Sequence, residues 1–387
     1  MNLSRRRFLL GASVLAASFS LPGFVIAEDR GFRRLVVVNL RGGLDGLGVV
    51  PVIGDRHFMG ARGVLAEMEG VHELDGYFGL HSAMTNIAAL YEKKEAIVFH
   101  AVAPPYRGRS HFDGQNVLES GGETPYALKS GWLYRALATT TSRPSQLAAM
   151  SIGANTPLIL RGDETVGSWL PDRLPEPDDD TMSRVIALYD DDPRLAGAVR
   201  AMQATEAMLD QGMGQHGSGR GNEVQLSEAA AKIISNPNGP QVSVLESTGW
   251  DTHANQNAVL GARLRSLDAG IGALKDGLGA LWAETAVLIV SEFGRTVAAN
   301  GTRGTDHGVG GAAFLLGGSV NGGQVVADWP GLSKNALHDG RDLRSTLDLR
   351  ALGKSVLVDH LGADGGKVDQ LVFPHSTDVK RVQGLFS

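Results

Sequence analysis

The sequence predicts an α/β protein with a mostly parallel central sheet flanked by helices. Three observations carry that prediction. Four short runs of β-branched and aliphatic residues each end in a segment rich in glycine and polar side chains. Two of the runs are joined by a long amphipathic stretch. The 387 residues are 43% apolar and 20% charged, a soluble composition long enough to bury a large core without covalent staples.

The first run is Leu35–Leu40, closed by Arg41-Gly42-Gly43-Leu44-Asp45-Gly46. Continuous apolar runs bounded by glycine suit strands buried on both faces, as in a parallel sheet covered by helices. Residues Ser82–Lys94 read as a helix leading into the second run, Ala96–Phe99, which passes through two prolines to Arg109-Ser110-His111-Phe112-Asp113. The third, Val242–Glu246, ends in Thr248-Gly249-Trp250-Asp251-Thr252-His253, and the fourth, Ala286–Val290, in Ser291-Glu292-Phe293-Gly294-Arg295. Between these two, Val259, Leu260, Leu264, Leu267, Ile271, Leu274, Leu278 and Leu281 recur at three- and four-residue spacing, the stripe of an amphipathic helix. Such a strand–helix–strand unit implies a right-handed crossover to a parallel neighbour. Residues from about 170 to 235, with Pro171, Pro175, Pro177 and acidic triplets, read as a helical cap inserted into a single domain spanning 28–387.

The N-terminus carries an address. Ser4-Arg5-Arg6-Arg7-Phe8-Leu9 precedes an uncharged apolar stretch to Ala27, with small residues before Glu28. This is the layout of a cleavable twin-arginine export signal over residues 1–27. Its removal takes away three arginines and no acid, moving the net charge from −6 to −9. The expected destination is the periplasm, reached through the twin-arginine export machinery, with no membrane span left after cleavage. An uncleaved anchor helix is the alternative. The acidic balance removes the electrostatic footprint of a nucleic-acid binder. The lack of cysteine excludes disulfides, thiolate metal sites and a cysteine nucleophile, and suits an oxidising compartment.

In open α/β sheets, loops at the carboxyl ends of parallel strands form the binding crevice. Here those loops carry Asp45, then Ser110, His111 and Asp113, then Asp251 and His253, then Glu292 and Arg295; Asp306 and His307 follow in Gly304–Gly311. Carboxylates and imidazoles without cysteine suit a divalent cation such as zinc, manganese or calcium. Asp251 and His253, two apart, point the same way from an extended segment and can grip one ion. Asp306 and His307 point apart, and so serve two ions, or one ion and the groups that orient its ligands. Arg41 or Arg295 could hold an anionic substrate through paired hydrogen bonds. Plainer readings stand beside these. Asp45 suits a turn, Asp251 a helix cap, and a lone His111 or His307 a structural hydrogen bond. Ser110 has no partner base in sequence.

The segments LRGGLDGLGVVPV, PYRGRSHFDGQ, GWDTHANQ, SEFGRT and GTDHGVGG behind such a leader resemble the family of exported bacterial proteins called domain of unknown function 1501. That family is similar to the alkaline phosphatase/sulfatase superfamily, which implies a sandwich fold with metals at the strand ends. The resemblance implies metal-ligand roles for Asp45, Asp251, His253, Glu292, Asp306 and His307, with Phe293 where a ligand histidine would stand. It places Ser110 where a nucleophile lies. The candidate catalytic set is Ser110, His111 and Arg295, with Arg41 and Arg109 on the substrate. The expected function is a metal-dependent hydrolase of phosphate or sulfate esters, acting on an anionic small molecule or polymer. The alternative is a non-catalytic exported binding protein that keeps the fold.

Overall fold

Alternation of side chains along a buried strand feeds two cores at once, and β1 (Arg34–Arg41) does so here. Val36, Val38 and Leu40 enter one apolar cluster and Leu35 and Val37 the other. The computed structural model describes residues 32–67, 70–140, 148–153, 155–163, 166–169, 184 and 223–387. The expected leader, 1–27, lies outside them, as does most of the expected insertion.

The remaining elements follow in chain order. A short helix α1 (Gly46–Val49) and α2 (Phe58–Arg62) lead to a two-stranded antiparallel ribbon, β2 (His72–Glu73) with β3 (Gly79–Leu80). Helix α3 (Thr85–Glu92) enters β4 (Ala96–Ala103), followed by α4 (His111–Ser120) and α5 (Trp132–Leu137). Strands β5 (Ala149–Ile152) and β6 (Gly167–Trp169) precede α6 (Glu223–Ser235). Then come β7 (Val242–Thr248), α7 (Gln256–Leu278), β8 (Thr285–Ser291) and β9 (Gly311–Leu316). Strands β10 (Gln324–Val326) and β11 (Leu347–Asp348) and helix α8 (Leu349–Ser355) complete the main elements.

Among the described residues nine strands make one sheet in the order β10-β4-β9-β8-β1-β7-β5-β6, with β11 also on β4. β1 is parallel to both β7 and β8, and β5 to β7. Among the described strands of this sheet, only β9 runs against its neighbours, β4 and β8. The architecture is therefore the expected mostly parallel sheet between helical layers. One detail differs: β7 and β8 are parallel but not adjacent, because β1 lies between them and α7 spans the gap. The reversed β9 leaves β4 running the same way as β8, β1 and β7. All four carboxyl ends, and the start of β9, thus share one edge of the sheet.

Helices α3, α6 and α7 cover one face of the sheet, and α4, α5 and α8 the other. The α7 stripe of Leu260, Leu264, Leu267, Ile271, Leu274 and Leu278 is buried, as its spacing requires. Helix α6, at the tail of the expected insertion, joins this core through Ala230, Ala231, Ile233 and Ile234. Among the described residues no helix is long and apolar enough to cross a membrane.

Candidate metal centre

Three histidines meet at the shared sheet edge. His111 opens α4 after β4, His253 follows β7, and His307 precedes β9. Each uses Nδ1 on a group that can only accept. His111 Nδ1 donates to Glu292 Oε1 at 2.8 Å, His253 Nδ1 to Asp306 Oδ1 at 3.2 Å, and His307 Nδ1 to the Arg109 carbonyl at 2.8 Å. These partners fix the tautomer, so in each neutral ring Nε2 carries the lone pair.

The three Nε2 atoms gather around Asp251. His253 Nε2 lies 3.0 Å and His307 Nε2 3.3 Å from Asp251 Oδ1, and the two nitrogens are 3.1 Å apart. His111 Nε2 is 3.5 Å from Asp251 Oδ2, is buried, and has no hydrogen-bond partner. Ligand atoms about 2.0–2.1 Å from a tetrahedral zinc stand roughly 3.3 Å from one another, so the spacings fit a cation. Lone pairs facing each other at this range repel unless a proton or a cation lies among them. His111, Asp251 and His307 each offer a donor atom within 4.8 Å of the others. Imidazole-rich donors suit zinc, whereas manganese prefers oxygen donors and calcium takes six to eight oxygens.

The surroundings sharpen this charge pattern. The hydrogen bond from His111 to Glu292 raises the imidazole above its ordinary value, against the effect of burial. Burial lowers His307, which the Arg109 carbonyl only partly offsets. Burial pushes Asp251 up, but Arg295 donates to it at 2.5 Å and holds it below the usual carboxylate range. Glu292 is fully buried; the desolvation that would raise it is outweighed by donors from His111, the Gly42 amide and Gln115. The Asn300 amide lowers Asp306. The Phe293 ring packs 4.8 Å from His111 and 5.3 Å from His307, as a wall and not a ligand.

Close backbone approach makes this gathering attainable. A Cβ on Gly304 would come within 2.1 Å of the His253 carbonyl carbon, and one on Gly294 within 1.9 Å of the Gly310 carbonyl oxygen. The glycine-rich run thus lets the loops after β7 and β8 lie flat on the loop before β9.

Other expected site residues take different places. Asp45 is 1% exposed and pairs with Arg62 at 2.5 Å and with the Gln256 amide. Ser110 Oγ caps α4 by accepting from the Asp113 amide, which turns it to backbone work. Arg41 is held by Glu119, Glu246 and Gln115, and Arg109 by Asp342 and Asp339. Arg295 is buried against Asp251, the Gly42 carbonyl and Thr305. These guanidiniums already have their partners. Glu292 and Asp306 hold imidazoles by Nδ1, an orienting position and not a ligating one. Asp251 does not cap α7, whose cap position is Asn255. Arg62, which neutralises Asp45, and Gln256, which donates to it, went unnoticed in the sequence.

The model of a family described as "Protein of unknown function (DUF1501)" matches residues 68–370, beginning after the Leu40–Val52 segment. No curated protein matches the chain. Among solved structures, the chain is similar to the C-terminal periplasmic domain of EcEptC from Escherichia coli in complex with Zn, at 12% identity and TM-score 0.38 over 75% of this chain and 74% of that one. It is also similar to the lipoteichoic acid synthase LtaP from Listeria monocytogenes, at 11% identity and TM-score 0.40 over 90% of this chain and 76% of that one. A third likeness is to Ps i-CgsB in complex with k-i-k-neocarrahexaose, at 11% identity and TM-score 0.44 over 90% and 77%. Similarity this distant identifies neither a reaction nor a substrate.

Proposed function

The chain belongs to the DUF1501 family, and within that family we propose that it is an exported, metal-dependent hydrolase of phosphate or sulfate esters. The single observation that carries the metal is the convergence of three Nε2 lone pairs on one carboxylate, each ring held by its other nitrogen. His111, Asp251 and His307 would hold zinc, with His253 beside Asp251 and His307. Such an ion polarises an ester oxygen and makes bound water a nucleophile near neutral pH. Glu292, Asp306 and the Arg109 carbonyl keep the rings in the ligating tautomer. Arg295 fixes the Asp251 carboxylate. The attacking group would be a water or Ser110 Oγ, which accepts from the Asp113 amide and keeps a second lone pair. Delivery by the twin-arginine route belongs to the same proposal, supported by Arg5-Arg6-Arg7-Phe8-Leu9 and the uncharged stretch behind them.

One observation favours a second reading, a non-catalytic exported binding protein: Arg41, Arg109 and Arg295 all have acidic partners already. Elemental analysis of protein exported from its own host separates the two, coupled to hydrolysis of p-nitrophenyl phosphate, bis-p-nitrophenyl phosphate and p-nitrophenyl sulfate. The enzyme reading expects one tightly held ion and turnover of at least one ester. Both should vanish in the folded Asp251→Ala/His253→Ala variant. A protein free of metal and inert toward all three esters belongs to the binding class.

A further inference from the structure

We infer that Asp342 is a positioning residue that acts through Arg109 to aim His307 at the metal centre. The inference rests on the reading of the histidine cluster as a metal site. Arg109 sits in the left-handed region at φ 62°, a conformation that side-chain-bearing residues avoid. It is held there by Asp342, whose Oδ2 accepts from Arg109 Nε at 2.7 Å, and by Asp339, which accepts from Nη2 at 2.9 Å. The two acids are unlike: the Asp342 side chain is wholly buried, whereas that of Asp339 is 63% exposed. A buried carboxylate is the firmer anchor, since solvent does not screen it.

This anchoring has two consequences at the site. The carbonyl of the constrained residue receives the Nδ1 proton of His307 at 2.8 Å, fixing that ring's tautomer and plane. Arg109 also immediately precedes Ser110, the cap of the helix that begins with His111. One residue therefore governs two of the rings, the first by hydrogen bond and the second by chain continuity. The segment bearing Asp342 grips the same histidine again, because Arg341 Nη2 donates to the His307 carbonyl. Arg341 is itself paired with Asp342 Oδ1 at 3.3 Å. Partners that orient a ligating imidazole typically change metal affinity 10- to 100-fold when lost.

The test uses the mature protein stripped of metal and titrated with zinc against a chromophoric chelator, then with cobalt to saturation. Wild type should bind both ions. Asp342→Asn should bind zinc about 10- to 100-fold more weakly, and its cobalt absorption at saturation should move toward that of His307→Ala. Asp339→Asn should lose less than about threefold, since its partner is solvent-screened. If Asp342→Asn does not fold, Arg109→Ala carries the same expectations. A wild-type protein that binds neither ion overturns the metal-site reading itself. Binding by wild type, with unchanged affinity in the folded variant, overturns the positioning role alone. So does weakened affinity with an unchanged cobalt spectrum, which is the mark of a merely structural contact.

Discussion

Glu292 isolates what a single buried charge does at this site. Its Oε1 accepts from the Gly42 amide, from His111 Nδ1 and from Gln115, and Oε2 accepts from Ser291 Oγ, with no lysine or arginine in direct contact among these donors. A buried carboxylate without an opposing cation is costly, and an imidazole whose far nitrogen holds a metal recovers part of that cost. Glu292→Gln keeps the shape and an acceptor oxygen but removes the charge. Metal affinity should fall at least about tenfold, and metal-free stability should fall by about 1–3 kcal/mol as the donors lose a charged acceptor. Titration and chemical denaturation of the stripped variant check both, and equal affinity would mean that Glu292 does not tune His111. The sequence showed that acids and histidines end the strands, which was enough to assemble the candidate centre. It did not show which acid ligates and which orients, because that depends on the ring nitrogen each one meets. The partners of Arg41 and Arg109 lie as far as 205 and 233 residues away, so their neutralisation was equally hidden.

At the scale of elements, helix α3 shows local periodicity and distant chemistry dividing the work. The sequence places a helix over Ser82–Lys94, and it forms over Thr85–Glu92, yet Met84 at its cap position offers no oxygen. The first-turn amides instead reach Asp268 of α7. Its carboxylate accepts from the Asn86 and Ile87 amides at 2.9 Å each and from the Asn86 side chain. A negative charge at a helix start also meets the positive end of the helix dipole. This long-range cap ties α3 to α7, the helix that spans β1 on its way from β7 to β8. Asp268→Ala should cost about 2–3 kcal/mol, the combined loss of a cap and of buried donors left unpaired. Urea denaturation of the metal-free protein measures it; a loss below about 0.5 kcal/mol would show that α3 needs no such cap. Strands β1, β4, β7 and β8 were legible because buried β-branched runs admit few other readings. The cap was not, since nothing around Met84 points to an acid so far along the chain.

For the whole molecule, the sheet order decides both the site and the response to acid. Strand β9 enters antiparallel between β4 and β8, an arrangement that periodicity cannot reveal, and it brings His307 to the edge where β4, β7 and β8 end. The same packing buries two histidines outside the cluster. His100 in β4 donates Nε2–H to the Val50 carbonyl at 3.0 Å and accepts from the Ala101 amide at Nδ1. His360 donates to the Arg34 carbonyl at 2.8 Å and stacks on Phe386. Burial lowers each to about 4, more than the hydrogen bonds to carbonyls restore. Both are therefore neutral in the folded chain at pH 6, while in the unfolded chain they take up protons near 6.5. The unfolded state binds more protons across this interval, so the histidine contribution to stability is complete above about pH 6.5 and is lost as pH falls toward 4. Each group alone accounts for about 3 kcal/mol over that range. His360→Gln should flatten the acid limb of a stability–pH curve between pH 6.5 and 4 by about that amount, even if it lowers stability at pH 7. Measured on metal-free protein, the difference in slope between variant and wild type reports His360 and not ion release. An acid limb identical in the variant and wild type would mean that His360 takes its proton as readily in the folded chain as in the unfolded one.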